Sequence, residues 1–304
     1  MTTKPLVSIV TPSLDQGSYI EETIKSVLTQ DYGNLEYLVI DGGSSDNTLD
    51  ILRRYDGQIR WVSESDKGQA DAVNKGIEMA KGEIIGWLNS DDVFLPGAVS
   101  KAIECFAEFP HLAMVYGKCD FVDQEGSVVG QYPTEPFNFD KLAIVNFICQ
   151  PATFFKKSAF EGIGGLNSKL EYAFDLDLWI RVSQNSRVHY LPDYLSRYRL
   201  HGASKTVSPG HAAKNHAECL KVIIKHYDWA PVNRVYGYCY HQIAAKMPQL
   251  FQPNRGLTIF ASLLVSVVKY LQLNRGIRFR DIRALNLENL RKLLVPWNEL
   301  YQGN

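Results

Sequence analysis

Four consecutive residues, Asn89, Ser90, Asp91 and Asp92, carry the densest chemistry in this sequence. They end a short apolar run, Ile84 to Leu88, of strand length. Such a run reads as a fully buried central strand that delivers two carboxylates at its C-terminal end. In open α/β sheets, ligands bind beyond that end. Adjacent carboxylates there are costly unless solvated, paired or facing a cation. A hard divalent cation bridging carboxylate and diphosphate would meet the cost. The plain alternative is an acidic turn in which Asp91 or Asp92 caps the next helix. A second acidic stretch, Glu171-Tyr-Ala-Phe-Asp175-Leu-Asp177, opens an expected helix over 175–182. There a helix cap at Asp175 and a dipole partner at Asp177 compete with any chemical role.

The elements that must position these groups alternate along the first half of the chain. Val7 to Thr11 reads as a strand and Pro12 to Gly17 as a loop. Ser18 and Glu21 predict a capping box, and Ile20, Ile24, Val27 and Leu28 give the following helix one apolar face. Strands follow over 36–40 and 59–62, and helices over 48–55 and 69–80, before the Ile84 strand. This β-α-β-α-β-α-β order is the grammar of a parallel sheet with helices on both faces. Asp41 ends the second strand and faces the same crevice, where a carboxylate can accept from a base N–H or a ribose hydroxyl. An Asx turn before Gly42 and Gly43 is the alternative there. Beyond a helix that stops before Pro110, strands are expected over 113–116 and 152–155 and at 188–191, with a hairpin pairing 119–122 with 127–131. The sheet is therefore expected to be parallel first and mixed later.

Composition narrows the classes. The chain has 304 residues, 45% hydrophobic and 21% charged, with a net charge of -1. That is ordinary for a soluble protein and gives no basic field for nucleic acid. The five cysteines are odd in number and form no CxxC pair, so a reducing cytoplasm is the simplest compartment. Lys4-Pro5 runs straight into the first strand without a leader pattern. The turn after that strand, T-P-S-L-D-Q-G, lacks the glycines of a dinucleotide-binding oxidoreductase.

Taken together, V-S-I-V-T-P-S-L-D-Q-G, V-I-D-G-G-S-S-D-N-T, S-E-S-D-K-G-Q-A-D-A-V-N-K-G and G-W-L-N-S-D-D resemble the family 2 glycosyltransferases. The resemblance covers roughly residues 5 to 205 and implies an inverting enzyme of GT-A fold. That fold is a mixed, mainly parallel sheet flanked by helices, which here would carry a helical C-terminal extension. The implied domains are 1–208 (nucleotide-binding half 1–116, acceptor-side half 117–208) and the extension 209–304. The implied reaction moves a sugar from a nucleotide-diphosphate donor, a UDP-sugar first, to a glycan or lipid-linked acceptor hydroxyl, as in surface polysaccharide synthesis. A non-catalytic nucleotide-sugar binding protein is the alternative.

Residue by residue, the resemblance places Thr11, Pro12, Asp41, Asp66, Gln69, Asn74 and Ser90 on the nucleotide. Asp91 is placed on Mg²⁺ or Mn²⁺, with Asn89 and His201 as further metal contacts. Here N-S-D stands where D-x-D is common, so Asn89 offers a carbonyl oxygen in place of a charge. Asp175 takes the place of the catalytic base, with Phe174 where Glu is usual. Arg199 would hold the diphosphate, and Gln150 lies in an acceptor-side segment.

From about His211 the sequence turns helical. Leu257 to Leu271 is apolar except for Thr258, Ser262, Ser266 and Lys269, which form one narrow polar stripe. Residues 255–304 hold eight Lys and Arg against three acids, a formal excess of five positive charges. An apolar helix beside a basic cluster suits a peripheral contact at the inner face of an anionic membrane. Packing back onto the catalytic domain, or onto a second subunit, is the competing expectation.

Overall fold

The computed structural model describes residues 4–202, 209–246, 255–278 and 281. These fall into two compact units, one within Met1–Phe139 and Phe147–Arg199, the other within Asp140–Asn146 and Leu200–Asn304.

The first unit is built on one sheet. Its elements begin β1 (Val7–Ser13), α1 (Ile20–Leu28), β2 (Leu35–Asp41), α2 (Thr48–Arg54), β3 (Arg60–Ser63), α3 (Gln69–Met79) and β4 (Ile84–Trp87). They continue through β5 (Val93–Phe94), α4 (Ala98–Glu108), β6 (Leu112–Val122), β7 (Val128–Gln131), β8 (Thr153–Lys156), α6 (Lys157–Gly162), α7 (Phe174–Asn185) and β9 (Arg187–Arg199), while α5 (Phe139–Ile144), between β7 and β8 in the chain, falls in the second unit from Asp140 on. The strand order is β3-β2-β1-β4-β8-β6-β9-β5, with β7 paired to β6. β1 runs parallel to β2 and β4, and β2 to β3, whereas β8 is antiparallel to both β4 and β6. The sheet is thus parallel at one side and mixed at the other, as the alternation predicts.

β4 lies between β1 and β8, and all four of its residues are buried. Burial on both faces explains why its sequence is continuously apolar. The parallel register sets Ser13 opposite Asp41, and Asp41 opposite Ser63. Consequently the C-terminal ends of β1, β2 and β3 open at one edge, beside the end of β4.

Several local expectations change. The capping box does not form, because α1 begins at Ile20 and its cap is Tyr19, which leaves Ser18 one residue too early. Glu21 and Glu22 instead place two negative charges in the first turn, where the helix dipole favours them. The strands expected at 113–116 and 119–122 are one strand, β6, whose register against β9 shifts between Tyr116 and Lys118. β9 runs far beyond 188–191, since it pairs with β6 over most of that strand. The two-residue β5 and the short α5 carry too little periodicity to be read in the sequence.

The second unit contains residues 140–146 and the helices α8 (Pro209–Tyr227), α9 (Val232–Lys246) and α10 (Arg255–Asn274). Leu220, Ala230, Val235, Cys239 and Tyr270 form its small core. The 140–146 segment is tied to α9, where Asn233 Nδ2 donates to Ile144 O (2.6 Å) and Arg234 Nε to Ala143 O (3.2 Å).

Candidate active site

The loops at the sheet edge are stitched to one another. Asp41 is fully buried, and its carboxylate accepts from Gly43 N (3.0 Å), Ser44 N (2.9 Å), Ser44 Oγ (2.5 Å) and Ser63 Oγ (2.7 Å). These four bonds match the roughly four lone-pair positions of a carboxylate. Asp41 therefore builds an Asx-type turn, and contact with a nucleotide base would require one of these bonds to open. Asp66 Oδ1 accepts from Gly68 N (2.7 Å), while Oδ2 lies where a side chain on residue 42 would sit. A Cβ at Gly42 would come within 2.8 Å of that oxygen, so the Asp66 carboxylate would have to shift. Asp15 completes the stitching by accepting from Ser45 N (2.7 Å) and donating its own N–H to Ser44 Oγ (2.8 Å).

Asn89, at the end of β4, has both halves of its amide engaged. Its Oδ1 accepts from Gln69 Nε2 (2.8 Å) and Trp87 Nε1 (3.0 Å), and its Nδ2 donates to Gln150 Oε1 (2.8 Å) and Asp92 Oδ2 (3.3 Å). Gln150 in turn donates to Trp87 O (2.6 Å). The expected metal contact of Asn89 is therefore replaced by a junction joining the start of α3, the end of β4 and the segment before β8. An amide can donate and accept at once, which a carboxylate at this position could not do.

The next residues divide their roles. Asp92 is buried and accepts the Arg199 N–H (2.9 Å). Burial, and then the charge of Asp91, push its carboxyl well above the ordinary range. It does not cap a helix, because β5 intervenes and α4 is capped at Gly97. Ser90 is buried, and its carbonyl, with that of Asp92, accepts from the Thr23 hydroxyl of α1 (3.0 and 2.8 Å). Asp91 is partly exposed, unlike both of its neighbours.

Arg199 differs most from expectation. It is 2% exposed, and its guanidinium is committed to the protein. Nε donates to Asp91 O (3.0 Å), one terminal nitrogen to Asp123 O (3.2 Å) and Gln124 O (3.0 Å), and the other to Glu22 Oε2 (2.5 Å). The guanidinium also lies over the Tyr19 ring at 5.2 Å. Arg199 thus clamps the Asp91–Asp92 loop, which leaves little of it for a diphosphate. Asn74 is likewise structural: both ends of its amide hold the Leu166 main chain, at 2.9 and 2.8 Å. His201 belongs to the second unit, where it is buried. Thr11 is buried at the end of β1 and accepts from the Tyr37 hydroxyl (3.1 Å), and Pro12 follows it in the same strand.

The second acidic stretch meets the first. α7 begins at Phe174 with Asp175 in its first turn, accepting from Leu176 N (2.7 Å). The Phe174 ring stacks on Trp87 of β4, with centroids 5.7 Å apart. Phe174 therefore supplies an aromatic surface that joins α7 to the central strand. Burial and a hydrogen bond with Cys119 raise the Cys149 thiol well above its ordinary pKa, and the charges of Cys119, Asp92 and Asp175 push the same way. The Phe174–Trp87 stack sets the first turn of α7, which carries Asp175, against β4. Asp177, by contrast, is buried in an ion pair with Arg181 (2.7 Å), whose terminal nitrogens hold Ile163 O and Gly165 O. It anchors α7.

Sequence reading misses two contributors. Thr23 lies on the buried face of α1, and only its hydroxyl among apolar neighbours hints at a role. Ser13 ends β1 opposite Asp41, and its buried hydroxyl has no partner among the described residues. A ligand often satisfies such a group.

Comparison with known proteins bears on the family and the fold. Residues 8–164, just over half the chain, match the model of "Glycosyl transferase family 2". An uncharacterized glycosyltransferase of Rickettsia typhi is 31% identical over 218 residues, covering 67% of each chain. The hyaluronan synthase of Pasteurella multocida is 32% identical over 217 residues, 70% of this chain but only 22% of the synthase. Among solved structures, S. aureus TarS 1–349 in complex with UDP-GlcNAc superposes with a TM-score of 0.61 at 17% identity, covering 97% of this chain and 92% of that one. The mannosyltransferase PcManGT of Pyrobaculum calidifontis, in complex with GDP-Man and Mn²⁺, gives 0.58 at 20% identity, covering 89% and 88%. The strand order, the acidic site at the end of β4 and these likenesses converge: the chain belongs to glycosyl transferase family 2 and has its GT-A fold.

Proposed function

We propose that the chain transfers a sugar from a UDP-sugar to a hydroxyl of a glycan or lipid-linked acceptor, with inversion, in the cytoplasm. The observation that carries this reading is the Phe174–Trp87 stack, which sets the start of α7 against the central strand and so joins two unlike acidic stretches. One is the Asp91–Asp92 pair at the end of the buried central strand, and the other is Asp175 at the start of α7. Asp175 removes the acceptor hydroxyl proton as the new glycosidic bond forms. A single displacement needs one base, and of the two acids in the first turn of α7 Asp177 is engaged by Arg181, which leaves Asp175 for that role. Ser13, Thr11, Pro12, Asp66 and the Asp41 turn line the nucleotide side, and the Asn89 junction holds Gln69 and Gln150 in place. TarS, with its bound UDP-GlcNAc, and the Pasteurella hyaluronan synthase support a nucleotide-sugar donor and a glycan product.

The donor set suits a cation that arrives with its substrate. Among the described residues no cluster of three or more His, Cys, Asp or Glu could hold an ion alone. Mg²⁺ and Mn²⁺ are commonly bound by one or two carboxylates together with substrate phosphates. Asp91, partly exposed, is the residue that would hold it. A divalent ion there would offset the charge of the departing diphosphate. Arg199 keeps the Asp91 main chain in position for that task.

The test is turnover of a panel of UDP- and GDP-sugars, with and without EDTA, for the natural chain and Asp91→Ala. Metal-dependent release of UDP from one donor, lost in the variant, is the expected outcome. Full activity in EDTA would overturn the metal role. Binding of the nucleotide sugar with neither transfer nor hydrolysis would favour a binding protein.

A further inference from the structure

α10 is built inside out. Its polar stripe, Thr258, Ser262 and Ser266, is buried. The Ser262 hydroxyl donates to Thr258 O (2.6 Å) and the Ser266 hydroxyl to Ser262 O (2.5 Å), so these buried groups need no water. The stripe lies toward α9, whose Cys239 thiol interacts with Ser266. The opposite side presents Phe260, Leu263, Leu264, Val267, Val268 and Leu271, which are 41–60% exposed. They recur every three or four residues and form one continuous apolar face.

The face is held firmly. Asn274 accepts from Ala230 N (2.9 Å) and donates to Ala230 O (2.9 Å). Asp281 accepts from Trp229 Nε1 (2.9 Å) and from the Tyr270 hydroxyl (2.5 Å). Among the described residues, the core of this unit takes Tyr270 and Leu273 from α10. The opposite face is left exposed among those residues, and contiguous apolar patches of this kind mark interaction sites.

Charge decides between occupants. The sequence from Arg255 to Arg278 contains no acidic residue, and it carries Arg255 at one end of α10 and Arg275 and Arg278 beyond the other. Pairing α10 with a second copy, parallel or antiparallel, would bring basic end to basic end. An anionic lipid surface complements both ends and also covers the apolar face. Gly256–Asn274 is long and apolar enough to cross a bilayer. Yet its polar side is joined to α9, which carries Asn233, Arg234, Gln242 and Lys246 and would have to cross with it.

We infer that α10 lies in the plane of an anionic membrane surface, with its Phe260–Leu271 face in the acyl boundary and the flanking arginines at the headgroups. This does not depend on which sugar is transferred.

The experiment is flotation of the full chain with vesicles of equimolar phosphatidylglycerol and phosphatidylcholine, and with phosphatidylcholine alone. Light scattering reports the oligomeric state in parallel. The natural chain should float with the anionic vesicles, and less so in high salt. Phe260→Ser/Leu264→Ser/Val267→Ser should weaken binding by about tenfold or more, with the melting temperature preserved. Arg275→Glu/Arg278→Glu should weaken it comparably and touches no apolar residue, so it carries the test if the triple variant does not fold. Three results would overturn the inference: no flotation with anionic vesicles, binding unchanged by both variants, or a dimer that the triple variant dissociates. Bound protein that resists alkaline carbonate would show a spanning helix and overturn the in-plane placement.

Discussion

The two units bury polar groups for opposite purposes. In the sheet unit, Asp41, Asp92 and Arg199 are buried at the strand ends, and each holds a loop that lines the candidate site. In the helical unit, Thr258, Ser262 and Ser266 are buried so that one helix can seat against its neighbour while its apolar side stays outside. In the first, buried polarity fixes the loops of the candidate site. In the second, it frees an apolar surface. A hydrophobic count would rank α10 as core and the β4 turn as surface, and both rankings would be wrong.

The sharpest way to break this comparison is at the site itself. Asp175→Asn keeps the shape of the first turn of α7 but removes the proton acceptor. Turnover should fall by ~10²- to 10⁴-fold, with nucleotide-sugar affinity nearly unchanged. Calorimetric titration beside steady-state rates separates the two. Near-natural turnover would reduce Asp175 to a helix-terminal residue.

Arg199→Met tests whether buried polarity in the sheet unit is structural. The variant leaves Asp91 O, Asp123 O and Gln124 O without their donor, and Glu22 without its partner. Glu22 is more than half exposed, so little of the cost comes from its charge. The stranded carbonyls dominate, and about 2–4 kcal/mol of unfolding free energy should be lost in urea titrations. A variant that keeps its stability but loses diphosphate affinity would restore Arg199 to a direct ligand role.

Much of this was legible in the sequence, and the exceptions share a cause. The β-α alternation is written locally, in apolar runs and periodic faces, so the parallel half of the sheet follows from it. The acidic turn after Leu88 is also local. What Arg199 does is not, because its N–H meets Asp92 from 107 residues away. Gln150 reaches Asn89 across 61 residues and Asn74 reaches Leu166 across 92, so their amides cannot be told from surface amides by pattern. For α10, periodicity found the polar stripe but not which way it faced. Stripe-inward and stripe-outward helices have the same spacing, and only the neighbour decides.

That orientation makes a paired prediction. Ser262→Leu adds an apolar side chain, yet it should destabilise by about 1–3 kcal/mol, because the position is sealed against α9. Leu264→Ser removes one, yet stability should move by no more than about 0.5 kcal/mol, since that side chain is already 57% exposed. Thermal melts of the two variants give the signs directly. If Leu264→Ser is the more damaging, the stripe faces outward and the contrast between the units fails.

The mildest effect belongs to a histidine pair in the helical unit. His216 of α8 stacks on His241 of α9, with ring centroids 4.3 Å apart. Gly237 lies beneath it, and a Cβ there would come within 2.7 Å of His216 Nδ1. Burial first, then the charges of His241 and Arg234, lower the His216 pKa from the ordinary 6.5 to about 3. Burial lowers that of His241 as well. The folded chain thus keeps His216 neutral, whereas the unfolded chain protonates it below about pH 6.5. Its contribution to stability is fully present above that pH and is lost progressively as the pH falls toward about 3. One such proton accounts for at most ~1.4 kcal/mol per pH unit. His216→Phe keeps a ring against His241 and removes the titration, so it should flatten part of the acid limb and leave stability at neutral pH little changed. Urea midpoints measured from neutral to mildly acidic pH check this. An acid limb as steep in the variant as in the natural chain would move the sensitivity to other groups, the buried carboxylates of the sheet unit first among them.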